Sequence, residues 1–167
     1  MNPSFLYGPF ADEFLLPPAN SGISTNDHIQ NLLSPNGTFP SSASYTDVRD
    51  AAKVVVRALE SPPTSVVGRK RIVLSSPYGL DFRKAIDLIR EKRPELRERL
   101  VGVEGVPVYA RDRAPIDFGR VEEVVGMKRE EFVPLEETIL EAVDAVVGVE
   151  KAWEALGYEV VVTKPAD

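Results

Sequence analysis

Few residues in this chain are equipped for chemistry. There is one histidine, His28, and no cysteine. A Ser-His-Asp triad would have to use His28, a multi-histidine metal site is excluded, and so is a cysteine nucleophile. His28 follows Asp27 in a polar stretch and reads as a solvated histidine. Asp47 and Asp50 are spaced like paired carboxylates that could divide acid and base roles. At the head of a helix the same pair reads first as caps. The run Arg90-Glu91-Lys92-Arg93-Pro94-Glu95-Leu96-Arg97-Glu98-Arg99 mixes signs, as a solvated helix face does, and does not read as a phosphate patch. Glu122-Glu123 and Glu136-Glu137 fall near expected helix starts, where negative charge is favourable without any catalytic role.

The elements that must position these residues follow from periodicity and punctuation. Phe5, Leu6 and Tyr7 are strand formers, and Gly8-Pro9 ends them in a tight turn. Residues 10–44 are rich in Pro, Ser, Asn and Gly and read as a long loop with one short helix over Asn26 to Leu33. Ser34-Pro35-Asn36-Gly37 reads as a turn. A loop of this length lines a site or is disordered. The segment from Tyr45 to Asp50 opens a helix, with Asp47 as N-cap, Asp50 completing the capping arrangement, and Val48, Ala51, Ala52, Val55 and Leu59 as the apolar face. Ser61-Pro62-Pro63 stops it.

Arg71 to Ser75 reads as a buried strand. Asp81 caps a helix with Phe82, Ala85, Ile86 and Ile89 inward, and Pro94 breaks or restarts it. Residues 101–118 read as loop, with room for a strand at Val106 to Tyr109. A short helix over Phe118 to Val125 ends at Gly126. The most periodic element runs from Leu135 through Ile139, Val143, Val146, Val149 and Trp153 to Leu156, with Gly157 as its C′ residue. Gly148 inside it implies close packing or a bend. Tyr158 to Thr163 reads as a terminal strand.

A length of 167 residues favours one domain spanning 1–167. The apolar content of 43% and charged content of 28% place the chain among ordinary globular proteins. A net charge of −6 argues against nucleic acid as a partner. No apolar run approaches the ~20 residues of a membrane helix, and the first residues lack the pattern of a signal peptide. The expectation is a cytoplasmic protein with no membrane or nucleic-acid partner.

Several blocks, in order, resemble one family. Asn2-Pro3-Ser4-Phe5-Leu6-Tyr7-Gly8-Pro9 looks like the strand end that lies against the nicotinamide ring in extended short-chain dehydrogenase/reductases, the NAD-dependent epimerase/dehydratase superfamily. Tyr45-Thr46-Asp47-Val48-Arg49-Asp50-Ala51-Ala52 is similar to that family's segment before a helix. Arg69 to Ser76 resembles its next sheet strand, Arg83 to Leu96 the helix after it, and Phe132 to Thr138 the start of its C-terminal helix. The branch it most resembles is the group similar to dihydroflavonol 4-reductase and cinnamoyl-CoA reductase, fungal members above all. The match covers about residues 2–156, and residues 157–167 read as a C-terminal extension.

The resemblance implies an α/β fold: the helix-rich C-terminal half of an NAD(P)-binding Rossmann-type reductase, with a substrate-binding lobe and the last parallel strands. Family members reduce a carbonyl by hydride transfer from NADH or NADPH. They need a Gly-rich turn for the pyrophosphate and a Tyr-x-x-x-Lys pair for proton transfer. These 167 residues contain neither. The nearest approach is Tyr45 with Arg49, and arginine is a poor stand-in for a tuned lysine. No catalytic residue is therefore assigned, and the N-terminal Gly-rich half is expected to be absent.

By resemblance, Pro3, Ser4, Phe5 and Leu6 face the cofactor, although Phe5 and Leu6 suit a core strand equally. Ser21, or Asn20 beside it, corresponds to a polar cofactor contact. Phe39 and Ser44 correspond to substrate-pocket positions within the pocket-lining segment 10–44. Arg49 corresponds to a position facing the cleft or is an exposed helix arginine. The expected ligands are NADP or NAD and a bulky, partly aromatic carbonyl compound, with this chain alone inactive. The alternatives are a non-enzymatic module that self-associates through an exposed sheet edge, giving a homo-oligomer or a pairing with a full-length relative, and a fragment from an incorrect gene start.

Overall fold

The structure is a computed structural model and describes residues 1–11, 13, 16–109 and 116–160. Two short pairs of parallel strands sit at its centre. Strand β1 (Asn2–Pro3) pairs with β4 (Val73–Leu74), and β2 (Phe5–Tyr7) pairs with β3 (Tyr45–Asp47). One extended segment, residues 2–7, thus serves both pairs in succession. Ser4 bridges them, because its hydroxyl lies 2.9 Å from that of Thr46 and donates to Ser75 at 3.2 Å.

Around the strands lie α1 (Asp27–Leu32), α2 (Val48–Ala58), α3 (Thr64–Val67), α4 (Phe82–Lys92), α5 (Phe118–Val125) and α6 (Leu135–Ala155), with 3-10 turns between some of them. One core cluster gathers Tyr7, Ile29 and Leu32 with Phe82, Ile86 and Ile89 of α4 and Ile139, Val143, Val146 and Trp153 of α6. The other joins Ala51 and Val54 of α2 to Ile72, Leu74, Val121, Val124, Met127 and Phe132.

Most local punctuation behaves as its chemistry dictates. The carboxylates of Asp47, Asp81 and Asp117 each accept from the first-turn N–H groups of their helices. Gly126 ends α5 in the left-handed region at φ 64°, and Gly157 follows α6 at φ 85°. The N–H of Gly37 closes the expected turn on the Ser34 carbonyl at 2.8 Å.

Several expectations are corrected. The helix does not open at Tyr45: Tyr45–Asp47 is strand β3, because Tyr and Thr are good strand formers and Phe5–Tyr7 supplies an edge to pair with. The buried face of α2 is Asp50, Ala51 and Val54, while Ala52, Val55 and Leu59 are exposed. Asp50 does not complete a cap; its buried carboxylate accepts from the Val133 N–H at 3.0 Å and from Lys53 at 3.2 Å. The strand at 71–75 shortens to Val73–Leu74. Residues 106–109 form no strand. Residues 158–160 form none either, and 161–163 lie outside the described residues. Gly148 faces open space, so no close packing explains it.

Candidate functional site

Residues of β1 and β2, the 3-10 turn before α1 and the loop before β3 line an open cavity of about 320 Å³. Pro3, Ser4, Phe5 and Leu6 form one wall, Ser24 and Thr25 of the 3-10 turn before α1 a second, and Ser42 and Ser44 a third. The strands hold the first wall rigidly. The Thr25 hydroxyl donates to the Leu6 carbonyl, and the Ser42 hydroxyl accepts from the Ser44 N–H at 3.1 Å. Behind the wall His28 stands edge-on to Phe5 with ring centroids 4.6 Å apart.

Hydroxyls dominate the polar part of this lining, and it holds no charged side chain. Such a surface suits a neutral, hydrogen-bonding ligand. It lacks the cations that hold phosphate well. Among the described residues no cluster of three or more His, Asp or Glu is placed to hold a metal.

The structure brings Pro3, Ser4, Phe5, Leu6 and Ser44 together at this cavity. It does not bring Ser21 or Phe39 there. The Ser21 hydroxyl is buried with no hydrogen-bond partner, outside the lining. The side-chain amide of the neighbouring Asn20 donates to the Glu159 carbonyl at 2.9 Å. Phe39 packs edge-on to Phe82 at 5.7 Å, at the margin of the core. Ser24, Thr25 and Ser42 were not singled out from sequence. The hydroxyl-rich runs Ser21 to Thr25 and Ser41 to Ser44 carried the only signal.

The expected solvated His28 is instead half-buried, with Nδ1 3.1 Å from the Tyr7 hydroxyl. Burial pushes its pKa down, and Asp27 offsets this in part. Tyr7 is fully buried, and desolvation raises its phenol well above the ordinary value. Arg49 offers no free charge to a cleft: it is bound to Asp47 at 2.9 Å, Glu137 at 2.7 Å and Glu141 at 3.0 Å. Asp47 also accepts from the Thr138 hydroxyl at 2.8 Å. Desolvation works to raise its pKa, but the bonds from Arg49 and Thr138 outweigh it and hold the carboxyl below the usual range. Asp50 moves the other way, because burial outweighs its bonds to Val133 and Lys53. Neither carboxylate lines the cavity, so they are structural.

Fold and site together define a helix-rich α/β protein with short parallel strand pairs and an uncharged, hydroxyl-lined cavity. No family model matches the chain, and no curated protein matches it. Thirteen solved chains match its fold. One is SsCR_L211H, with a TM-score of 0.60 at 20% identity over 87% of this chain. The match covers 42% of that chain, so this protein spans less than half the length of that neighbour. The likeness is one of fold.

Proposed function

We propose that this chain is the substrate-side part of an NAD(P)-dependent carbonyl reductase of the extended short-chain dehydrogenase type. The observation that carries the reading is the cavity wall Pro3-Ser4-Phe5-Leu6, built from the segment that resembles the family's nicotinamide-facing strand end. The likeness to SsCR_L211H is compatible with it at the level of fold. The neutral, hydroxyl-bearing lining suits a nicotinamide ring with its carboxamide. Nothing in that lining suits the pyrophosphate, in keeping with the lack of a Gly-rich turn in these 167 residues. The nicotinamide would supply hydride. The chain's own part is to orient the ring against Phe5 and Leu6 and to exclude water from one face.

Two results are expected. The purified chain oxidises no NADPH with a panel of ketones and aldehydes, since it holds no Tyr-x-x-x-Lys for proton transfer. It does bind nicotinamide mononucleotide weakly, with amide shifts at residues 3–6, 24 and 44, while adenosine 2′,5′-bisphosphate shifts none of them. Turnover, or binding of the adenosine end alone, overturns the reading.

A second reading, a non-catalytic module that pairs with itself or a longer relative, is favoured by one observation. Val55 and Val56 on α2 and Leu59 just after it expose apolar surface, with Leu59 86% accessible. Light scattering separates the two readings, because a monomer at high concentration removes the second.

A further inference from the structure

The chain turns back on itself where α6 ends. Gly157, at φ 85°, reverses it, and the Tyr158 N–H closes on the Trp153 carbonyl at 3.1 Å. The residues that follow run against the loop ahead of α1. The Glu159 carbonyl accepts from the Asn20 side-chain amide at 2.9 Å. Val160 and Ala19, both half-buried, pack against the larger core. Within the last turns of the helix, the buried Trp153 indole donates to the Pro17 carbonyl at 2.8 Å. Residues 17 and 20 are thus both tied to the end of α6.

The same loop is pinned separately at its other end. The Thr25 hydroxyl donates to the Leu6 carbonyl, and the Asn26 amide to the Gly8 carbonyl at 3.0 Å. Between these anchors the Ser21 N–H bonds to the Pro18 carbonyl at 3.0 Å, and the Ile23 N–H to the Asp27 carboxylate at 2.7 Å. Asn20 and Ser24 bracket the span with left-handed backbone, φ 57° and 61°, a state costly for a residue with a Cβ. Such a span keeps its shape only while its surroundings hold it there.

We propose that residues 157–160 form a strap. Latched on Asn20, it holds the span 20–24 and with it the Ser24 side of the open cavity. Released, it lets that span open while α1 stays folded. The latch is the weaker anchor, because water competes for the exposed Asn20–Glu159 bond while the Trp153 indole is buried. The strap lies past residue 156, where the family resemblance ends. It rests on the contacts of the loop and not on the reductase reading, and no ligand enters its test.

The test is backbone amide exchange on the full chain, followed residue by residue by nuclear magnetic resonance. Asn20→Asp keeps the shape and left-handed tolerance of the side chain but sets a carboxylate against the Glu159 carbonyl. Val160→Ala removes packing from the strap. Each should speed exchange at Ser21 and Ile23 about fivefold, the order of factor that one neutral hydrogen bond carries. Leu33, whose N–H bonds to the Gln30 carbonyl at 2.9 Å, should keep its rate. Glu159→Ala should change nothing, because the acceptor is the main-chain carbonyl. Unchanged rates at Ser21 and Ile23 in either strap variant, an equal rise at Leu33, or a Glu159→Ala effect as large as that of Asn20→Asp would each overturn the proposal.

Discussion

At the scale of single residues, one buried carboxylate holds three elements together. Asp47 ends β3, caps α2 through the Arg49 N–H, and accepts from Thr138 in the first turn of α6. Asp47→Ala removes the α2 cap and one acceptor each of Arg49 and Thr138, which keep Glu137, Glu141 and the Pro134 carbonyl. The expected loss is about 1–3 kcal/mol, read by urea denaturation. The pH dependence follows from the direction of its shift. A carboxyl held below its unfolded value contributes stability that is complete above about pH 3.9 and is lost as pH falls through the lower folded value. Asp47→Asn should therefore flatten the most acidic limb of the stability curve. His28 acts in a higher window. Burial lowers its folded pKa, so stability is complete above about pH 6.5 and declines below it as the unfolded chain takes up the proton first. His28→Gln should remove that component of the slope just below pH 6.5, measured as Tm against pH.

At the scale of elements, α6 anchors the structure. Its buried stripe ends at Trp153, which packs in the larger core and reaches the loop through the Pro17 carbonyl. Trp153→Ala should cost about 3–5 kcal/mol in chemical denaturation. Gly148 is exposed on the same helix and a Cβ there meets nothing within 4 Å, so Gly148→Ala should stabilise by about 1 kcal/mol. These helices were legible in sequence because local signals agree: Asp81 caps α4, Gly126 stops α5, and Ile139 to Trp153 keeps helical spacing. The strand at Tyr45–Asp47 was not, since its strand state depends on pairing with Phe5–Tyr7 some forty residues away. The inward face of α2 departs from helical apolar spacing because a charged residue, Asp50, takes an interior position through its bond to Val133, and Val55 is turned outward. The cavity was legible along the Pro3–Leu6 wall and at Ser44. Ser24 was not, because its left-handed backbone leaves no mark on residue type.

At the scale of the whole molecule, two cores flank one extended segment, and that segment also forms the cavity wall. Fold and pocket wall therefore share residues 3–6. Among the described residues no helix is long and apolar enough to cross a membrane. The exposed valines of α2 bear on association. If they are an interface, Val55→Lys should shift the mass seen by light scattering to that of a monomer; if the chain is already monomeric, the substitution changes only solubility. The central claim is that the wall Pro3–Leu6 receives a nicotinamide ring. Intermolecular nuclear Overhauser effects between the ring protons of nicotinamide mononucleotide and the side chains of Phe5 and Leu6 test it most directly. The expected result is cross-peaks to both residues, lost on Leu6→Asp. Cross-peaks confined to other surfaces, or none under saturating ligand, would contradict it.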